Sequence, residues 1–315
     1  MTAYIIRRLA QSVVVVFGVT LVVFIIIHLL PGGPAGALLG GRASPEEIRQ
    51  FIAANGYNRP LAVQYGDFIG RLLHGNLGFS FKYNQSVSSL LAENLPKSAL
   101  LVGLSYAVAL ILAVPLGLAQ AMQRNRPLDY VVTSASFVGY SMPVFWVGIL
   151  LILAFSVSLH IFPSEGPQGA SVGAVLGQPL SLVLPVATLT IITVALFSRY
   201  MRSSAIDNLL QDYIRTARAM GTPERRIIYR HLLPNSLLPI ITLIGLSLPA
   251  VLSGALVVEQ VFNYPGAGLL FWNAATTKDI PLLMGLTIVA GIATVLGSLL
   301  ADVMYAIADP RVRYS

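Results

Sequence analysis

Six long runs without a charged side chain are the feature that most restricts how this sequence folds. A helix needs about 20 mostly apolar residues to cross the roughly 30 Å hydrocarbon core of a bilayer. The runs are rich in Leu, Val, Ile, Ala and Gly, and they occupy 9–30, 99–121, 130–157, 180–197, 237–258 and 282–301. We therefore predict an all-α integral membrane protein with six transmembrane helices.

Composition supports a membrane location and excludes several classes of chemistry. Only 10% of the residues are charged and 56% are hydrophobic, whereas soluble domains carry about 25% charged residues. The chain has no cysteine, which excludes disulfides, thiolate metal sites, iron–sulfur clusters and cysteine nucleophiles. No metal-ligand cluster and no nucleophile paired with a base has recognisable spacing. We expect a multi-pass protein of the cell membrane that binds no metal and is not an enzyme.

The basic residues predict the orientation. With the N-terminus in the cytoplasm, the cytoplasmic segments hold thirteen of the twenty lysines and arginines. Six others fall in 31–97, which is too long for the positive-inside bias to apply strongly, and Lys278 alone lies in a short outer loop. Both termini are therefore predicted to be cytoplasmic. Because the charges are divided among short loops rather than gathered in one patch, nucleic acid is not an expected partner.

The first apolar run has one alternative interpretation, a cleaved signal peptide. Arg7 and Arg8 precede the run and a stretch of small residues follows it. The run has about 22 residues, however, and a typical signal core has 7 to 15. We interpret 1–30 as the N-terminus and first transmembrane helix.

The residues after this helix form the longest interruption between runs, 31–97, and predict an extracytoplasmic cap. A Pro-Gly-Gly-Pro turn at 31–34 ends the first helix. Ser44 is placed to cap a short helix that begins with Pro45 and two acids. The remaining 98–315 are predicted to form a five-helix core, with irregular outer loops at 158–179 and 263–281.

The cytoplasmic segment 200–235 has a pattern of its own. Apolar residues recur at helical spacing between 206 and 220, which predicts an amphipathic helix. Gly221 suits the left-handed conformation that ends a helix. Thr222 is then expected to cap a second helix with Pro223 and Glu224 in its first turn, and Pro234 to end it. A helix pair lying on lipid headgroups stays open as an alternative.

The same segment resembles a known sequence motif. RTARAMG at 215–221 followed by HLLP at 231–234 resembles the EAA loop of ABC-importer permease subunits. Arg215, Thr216 and His231 depart from its usual form, but the variant is similar to that of dipeptide, oligopeptide and nickel permeases. Further resemblances to this branch are MPVFW at 142–146, VEQVF at 258–262, YPG at 264–266 and the tail DPRVRY at 309–314.

The resemblance implies a type I ABC importer permease fold that forms half of a translocation pore. It implies a second homologous permease subunit, two cytoplasmic ATPase subunits that hold ATP and Mg²⁺, an extracytoplasmic substrate-binding protein, and surrounding membrane lipid. The expected solutes are dipeptides or oligopeptides; the alternatives are nickel or another small solute and, as a different class, a stand-alone secondary carrier or channel. The residues it assigns to an ATPase-coupling loop are Arg215, Thr216, Ala217, Arg218, Gly221, Thr222, Pro223, Glu224, His231 and Pro234.

The energy source is expected to lie in another chain. A phosphate-binding Gly-x-x-x-x-Gly-Lys-Ser/Thr loop is missing, since the three lysines stand in other contexts. His28 lies near the outer end of the first run, where an interfacial histidine is favoured over a proton relay. Prolines beside small polar residues mark backbone that faces protein or a water-filled cavity, although ordinary helix packing is an alternative. The candidate pore-lining residues are Ser141, Pro143, Ser247, Pro249, Ser253 and Glu259, the last being also a candidate anchor for the 264–266 turn.

Overall fold

The structure is a computed structural model that describes residues 2–30, 32–39, 44–54, 56–80, 82–253 and 255–308. Within these ranges, the side chains of 2–6, 8, 9, 37, 248–253 and 301–308 are not described. The tail motif at 309–314 and Pro31 of the predicted first turn therefore lie outside the described residues.

Helices make up most of the described chain, with one short hairpin. The elements before the second span are α1 (Thr2–Leu29), α2 (Gly33–Leu39), α3 (Pro45–Ala54), α4 (Leu61–Leu73), β1 (Phe79–Ser80) and β2 (Gln85–Ser86). The next group is α5 (Val87–Met122), α6 (Pro127–Ser141), α7 (Val144–Leu151), a π-helical stretch (Ile152–Ser158), α8 (Val172–Leu176) and α9 (Pro179–Leu209). The last group is α10 (Asp212–Ala219), α11 (Glu224–Arg226), a second π-helical stretch (Ile227–Leu232), α12 (Leu233–Ser236), α13 (Leu238–Ser253), α14 (Leu256–Val261), α15 (Ala267–Thr277) and α16 (Ile280–Ala308).

Five helical stretches of the described chain are long and apolar enough to cross a bilayer. They are Ala10–Leu29, Val87–Met122, Pro179–Leu209, Glu224–Ser247 and Ile280–Leu300. A sixth span is formed when α6 and α7 are counted together, although the two helices meet at a bend of 104°. The prediction of a six-span helical membrane protein is confirmed, with a strongly bent third span.

Two helix pairs form the centre of the structure. One pair is α5 with α9, and the other is α13 with α16. At Gly117 of α5 the backbone of α9 is so close that a Cβ atom would stand 2.6 Å from the carbonyl oxygen of Ser198. α9 also contacts α6 and α7, while α1 packs on α16. The bent third span therefore packs on the α5–α9 pair, and the first helix packs on the α13–α16 pair.

The cap, residues 32–86, is held on the end of α1 by side-chain contacts from α4. The hydroxyls of Thr20 and Tyr65 are 2.8 Å apart, and the Tyr65 ring packs edge-on against Phe24. His28 Nε2 lies 2.9 Å from Oε1 of Gln64, and its Nδ1 lies 2.7 Å from the carbonyl oxygen of Phe24. The polar side chains in the last part of α1 therefore form hydrogen bonds with the cap.

Two predicted details of the cap are confirmed. Ser44 accepts a hydrogen bond from the backbone N–H of Glu47 at 3.2 Å, and the Glu47 carboxylate accepts one from the backbone N–H of Ser44 at 2.7 Å. This reciprocal arrangement is a capping box. Gly32 and Gly33 have φ of +81° and +60°, so the chain turns there immediately after α1, as its glycines predict.

Both predicted outer loops differ from the prediction of irregular structure, and the first, 158–179, contains the short helix α8. Residues 263–281 contain α15, an eleven-residue helix. The segment was predicted as irregular because its turn residues stand at both ends, whereas the helix is stabilised by groups far from it in sequence. Ser80 of the hairpin donates a hydrogen bond to Asp279, which precedes α16, and so fixes the far end of this segment to the cap.

Candidate coupling loop and translocation pathway

The amphipathic pattern at 206–220 is divided between two helices. α9 continues to Leu209, the backbone of Gln211 is extended (φ −74°, ψ 150°), and α10 starts at Asp212. The prediction of one helix across this stretch was wrong. Leu209 and Ile214 face the same apolar cluster from either side of the break, so the spacing of apolar residues carries no sign of it.

Gly221 ends α10 as predicted, and its geometry explains why a glycine stands there. Its φ is +73°, a left-handed conformation that is unfavourable for residues with a Cβ atom by about 1–2 kcal/mol. The N–H of Gly221 bonds to the carbonyl of Arg218 at 2.9 Å, and the N–H of Thr222 bonds to that of Ala217 at 3.1 Å. This pair of bonds is the Schellman motif.

The two helices on either side of this turn share a small core. Its members are fully or almost fully buried; they are Ile214, Ala217, Ile227 and Leu232. Leu118 of α5 and Leu209 of α9 pack against it. The apolar face of α10 is therefore covered by its own chain, and the turn at Gly221 is fixed relative to the central α5–α9 pair.

The second helix departs from the prediction at both of its ends. Pro223 holds the capping position, α11 begins at Glu224, and no side chain of the capping residue bonds to the helix. The predicted Thr222 cap was wrong because α11 starts one residue later than expected, which places Pro223 and not Thr222 at the capping position.

Pro234 does not end the helix either. It lies in the first turn of α12, where a missing N–H would have no partner in the helix. The π-helical stretch before it ends one hydrogen-bonding register and α12 starts another. The chain thus continues in helical conformation from Glu224 towards the fifth span.

The remaining residues assigned to the coupling loop lie mostly on its outer face. Arg218 Nε donates to Oε1 of Glu224 at 2.8 Å and so bridges the turn. Arg215 pairs with Asp212 at 3.5 Å, with both side chains well exposed. Thr216 is exposed, and its carbonyl accepts a hydrogen bond from the backbone N–H of Met220 at the end of α10. His231 is half-buried.

An ion pair that the sequence did not reveal ties the bent third span to α9. Asp129 in the first turn of α6 is 2% exposed. Its two oxygens accept hydrogen bonds from Nε and Nη2 of Arg202 at 2.5 and 2.7 Å. The N–H of Asn125 donates to the same carboxylate at 3.0 Å. The sequence signal was an acid within a stretch rich in arginine that is predicted to be cytoplasmic, and 73 residues separate the two partners.

The candidate pore-lining residues lie at different places in the fold. Ser141 ends α6 and Pro143 precedes α7, so both are at the 104° bend, and both are exposed. Ser247 is half-buried in α13, and its hydroxyl donates to the carbonyl of Leu243 at 2.8 Å. Pro249 and Ser253 fall within α13, but their side chains lie outside the described part of the chain.

Glu259 is fully buried and surrounded by donors. Oε1 accepts from the hydroxyl of Ser98 at 2.6 Å and from the N–H of Ala255 at 3.1 Å. Oε2 accepts from the N–H groups of Gly268 and Leu269 at 2.7 and 3.0 Å. These two N–H groups belong to the first turn of α15, whose positive dipole end favours a carboxylate.

Further bonds hold the turn between α14 and α15 against α5. The hydroxyl of Tyr264 donates to the carbonyl of Lys97 at 2.7 Å, and the N–H of Ala267 donates to the hydroxyl of Ser98 at 2.8 Å. A Cβ atom on Gly266 would stand 2.4 Å from Oε2 of Glu259. We call Ser98, Glu259, Tyr264 and the start of α15 the outer plug; it joins three elements through one carboxylate.

Comparison with known proteins identifies the family. A family model described as a binding-protein-dependent transport system inner membrane component matches residues 113–314, and the model of its N-terminal part matches residues 1–102. The chain belongs to this permease family. It is a multi-pass inner membrane protein and a transport subunit of the ABC importer class.

Curated relatives of this permease match over its full length. The chain is 39% identical to the oligopeptide transport system permease protein AppB of Bacillus subtilis, over 100% of both chains. It is 38% identical to the oligopeptide transport system permease protein OppB of Haemophilus influenzae, again over 100% of both. A putative peptide permease protein of Brucella suis is 37% identical over 99% of both.

A solved structure supports the fold of the permease. The chain of the MetNI methionine ABC transporter, in a study of its inward-facing conformations, aligns with a TM-score of 0.55 at 16% identity. The alignment covers 70% of this chain and 96% of that one. The permease therefore has the type I ABC importer fold, with residues in addition to those that align.

Proposed function

We propose that this permease forms half of the translocation pore of an ATP-driven importer of peptides and couples through 200–235 to a separate ATPase. The peptide assignment is supported by relatives named as oligopeptide permeases. A second homologous permease subunit completes the pore, two ATPase subunits bind ATP and Mg²⁺, and a binding protein delivers the solute.

In this proposal both termini and the coupling loop face the cytoplasm, while the cap and the outer plug face the other side. The exposed arginines of 200–235 support that orientation, since positive charge is retained on the cytoplasmic side. This orientation gives three parts, which are the N-terminus and first helix (1–30), the extracytoplasmic segment (31–97) and the five-helix core (98–315). The helix of the second span starts at Val87, so the last part of the outer segment is the beginning of that helix.

The observation that carries the coupling assignment is the way α10 is packed. Ile214 and Ala217 are 0% and 3% exposed because they lie in the chain's own small core. A helix lying on headgroups would instead turn its apolar face to the lipid. The face that α10 leaves open carries Asp212, Arg215 and Thr216, and ends at Met220 and Gly221. Such a polar, rigid projection suits a groove in a soluble protein.

The mechanism follows from the continuity of the elements. A push on the Gly221 turn is carried by α11 and the helical segments after it into the fifth span. The small core transmits the same displacement to α5 and α9. Closure of the ATPase subunits would then change the relative positions of the spans and give alternating access. Ser141, Pro143, Ser247, Pro249 and Ser253 remain our proposed pathway positions, whereas Glu259 holds the outer plug.

Replacement of Gly221 tests the proposal in the reconstituted complex of permeases, ATPases and binding protein. Gly221→Val strains the turn through its positive φ alone, because a Cβ atom at this position would contact nothing within 4 Å. We expect peptide uptake and peptide-stimulated ATP hydrolysis to fall at least tenfold with unchanged expression. Gly103→Val is the matched control, because Gly103 also has free space around it but lies within α5.

Two results would contradict the proposed coupling to a separate ATPase. One is ATP-driven uptake that persists at the native rate in Gly221→Val. The other is uptake by the permease alone in vesicles without its partners, which would favour the stand-alone carrier.

A further inference from the structure

A cavity of about 450 Å³ lies between the cap and the adjoining ends of α1 and α16. Its floor comes from the two spans, with Phe24 and Ile27 on α1 and Met284 and Ile288 on α16. Helices α3 and α4 of the cap cover it with further aromatic and aliphatic side chains. Its volume is within the range of small-molecule sites, about 300–1,000 Å³.

The position of the cavity places it at the boundary of the bilayer. α1 ends and α16 begins at the cap, and further along these helices pack closely, since a Cβ on Gly291 would stand 2.8 Å from Val19. The cavity lies between this crossing and the cap. Phe24, Ile27, Met284 and Ile288 lie near the ends of the candidate spans Ala10–Leu29 and Ile280–Leu300, so we expect the floor to lie near the boundary of the hydrocarbon.

One cationic side chain, that of Arg71, lines the cavity. Arg71 of α4 lines it together with Tyr57 and Asn76. Arg59 has Asp67 as a partner at 3.5 Å, whereas Arg71 has no carboxylate partner among the described residues. Burial raises the pKa of the Tyr57 phenol, with the nearby charge of Arg71 opposing that rise, so the phenol stays a neutral hydrogen-bond donor.

The lining favours an anionic amphiphile over a peptide. A peptide carries an ammonium group as well as a carboxylate, and the described residues that line the cavity include no acidic side chain. An acyl chain matches the apolar floor, and a phosphate matches a guanidinium with a neutral donor beside it. The two ends of a phospholipid thus meet complementary surfaces.

We propose that the cavity under the cap binds an anionic phospholipid, with one acyl chain between α1 and α16 and its phosphate on Arg71 and Tyr57. The bound lipid links the first and last spans to the cap. The site is separate from the coupling loop and from the proposed pathway, so it stands whatever the solute is.

Photolabelling tests the site in the full-length permease complex. The complex is placed in vesicles of phosphatidylcholine with one quarter phosphatidylglycerol, a trace of which carries a diazirine at the end of one acyl chain. After irradiation and digestion, we expect label concentrated on the peptides that contain Phe24–His28 and Met284–Ile288. Arg71→Gln should lower this label at least fivefold, while Arg59→Gln, which removes an exposed and already paired charge, should leave it unchanged.

A second variant guards against misfolding of the first. Met284→Trp fills the cavity from a half-buried position and should abolish the label while transport-competent complex still assembles. The proposal is overturned if diazirine phosphatidylcholine labels the same peptides equally well, or if Arg71→Gln and Met284→Trp both keep full labelling. It is also overturned if an unlabelled tripeptide, rather than added phosphatidylglycerol, removes the label.

Discussion

Asp129 and Arg202 form a bidentate ion pair that joins the start of α6 to α9, with oxygen–nitrogen distances of 2.5 and 2.7 Å. The carboxylate is buried, and the guanidinium is about a quarter exposed. Removing one partner of such a pair leaves a buried charge without compensation. The pair therefore fixes the bent third span against the central helices.

Arg202→Ala should destabilise the protein by about 3–5 kcal/mol, because the Asp129 charge stays buried without its partner. The measurement is the melting temperature of the detergent-purified protein by size-exclusion chromatography. Arg215→Ala is the control, since its partner Asp212 is 95% exposed and exposed pairs contribute about 0–1 kcal/mol. Equal melting temperatures for the two variants would contradict the structural role of the pair.

Gly117→Ala should separate α5 from α9. Its new Cβ would stand 2.6 Å from the carbonyl oxygen of Ser198 and 2.7 Å from Cβ of Met201. Overpacking of this kind is destabilising by about 1–3 kcal/mol. Gly103→Ala, on the same helix and with nothing within 4 Å, should be neutral or stabilising, because alanine is the better helix former. The measurement is the thermal stability of the two variants. A Gly117→Ala variant as stable as Gly103→Ala would contradict the close approach of α5 to α9.

Glu259→Ala should release the outer plug. Four donors lose their acceptor, and each unsatisfied buried group costs about 1–3 kcal/mol. The expected result is rapid proteolysis within 263–281 and a lower melting temperature. Gln260→Ala changes an exposed neighbour on the same helix and should behave as the native protein. If both variants resist protease equally, Glu259 does not hold α15.

The small core under α10 should matter more for stability than the ion pair across the turn. Arg218 and Glu224 are 47% and 59% exposed, so Arg218→Ala should cost less than about 1 kcal/mol. Ile214→Ala removes a fully buried side chain and should cost about 2–5 kcal/mol. Denaturation of the purified protein, followed by a fluorescent probe on the loop, compares the two. A larger effect of Arg218→Ala would show that the ion pair is the main support.

Local patterns in the sequence predicted the features that depend on a few adjacent residues. Hydropathy located the spans because the residues of a span face either lipid or the apolar side chains of neighbouring helices. Gly221 and the Ser44 cap were predicted because each depends on the backbone conformation of a single turn. Helix boundaries were less accurate, as at Val87, since helices continue beyond the apolar part of the chain.

Features that depend on distant partners were not predictable from local patterns. Glu259 caps α15 from the preceding helix, and another of its partners, Ser98, is 161 residues away. The break at Leu210 is hidden because both sides of it bury side chains in one core. The possible role of Arg71 becomes visible only when α1 and α16 are placed beneath the cap.

Single cysteines test the central claim that the Gly221 turn enters an ATPase on the cytoplasmic side, since the chain has none of its own. Met220→Cys and Leu73→Cys replace side chains that are 74% and 82% exposed, the first beside the turn and the second on the cap. We expect a membrane-impermeant maleimide to label Leu73→Cys alone in intact cells. In inverted membrane vesicles it should label Met220→Cys strongly only when the ATPase subunits have been stripped off. Labelling of Met220→Cys from outside the cell, or equal labelling with and without the ATPase, would contradict the account.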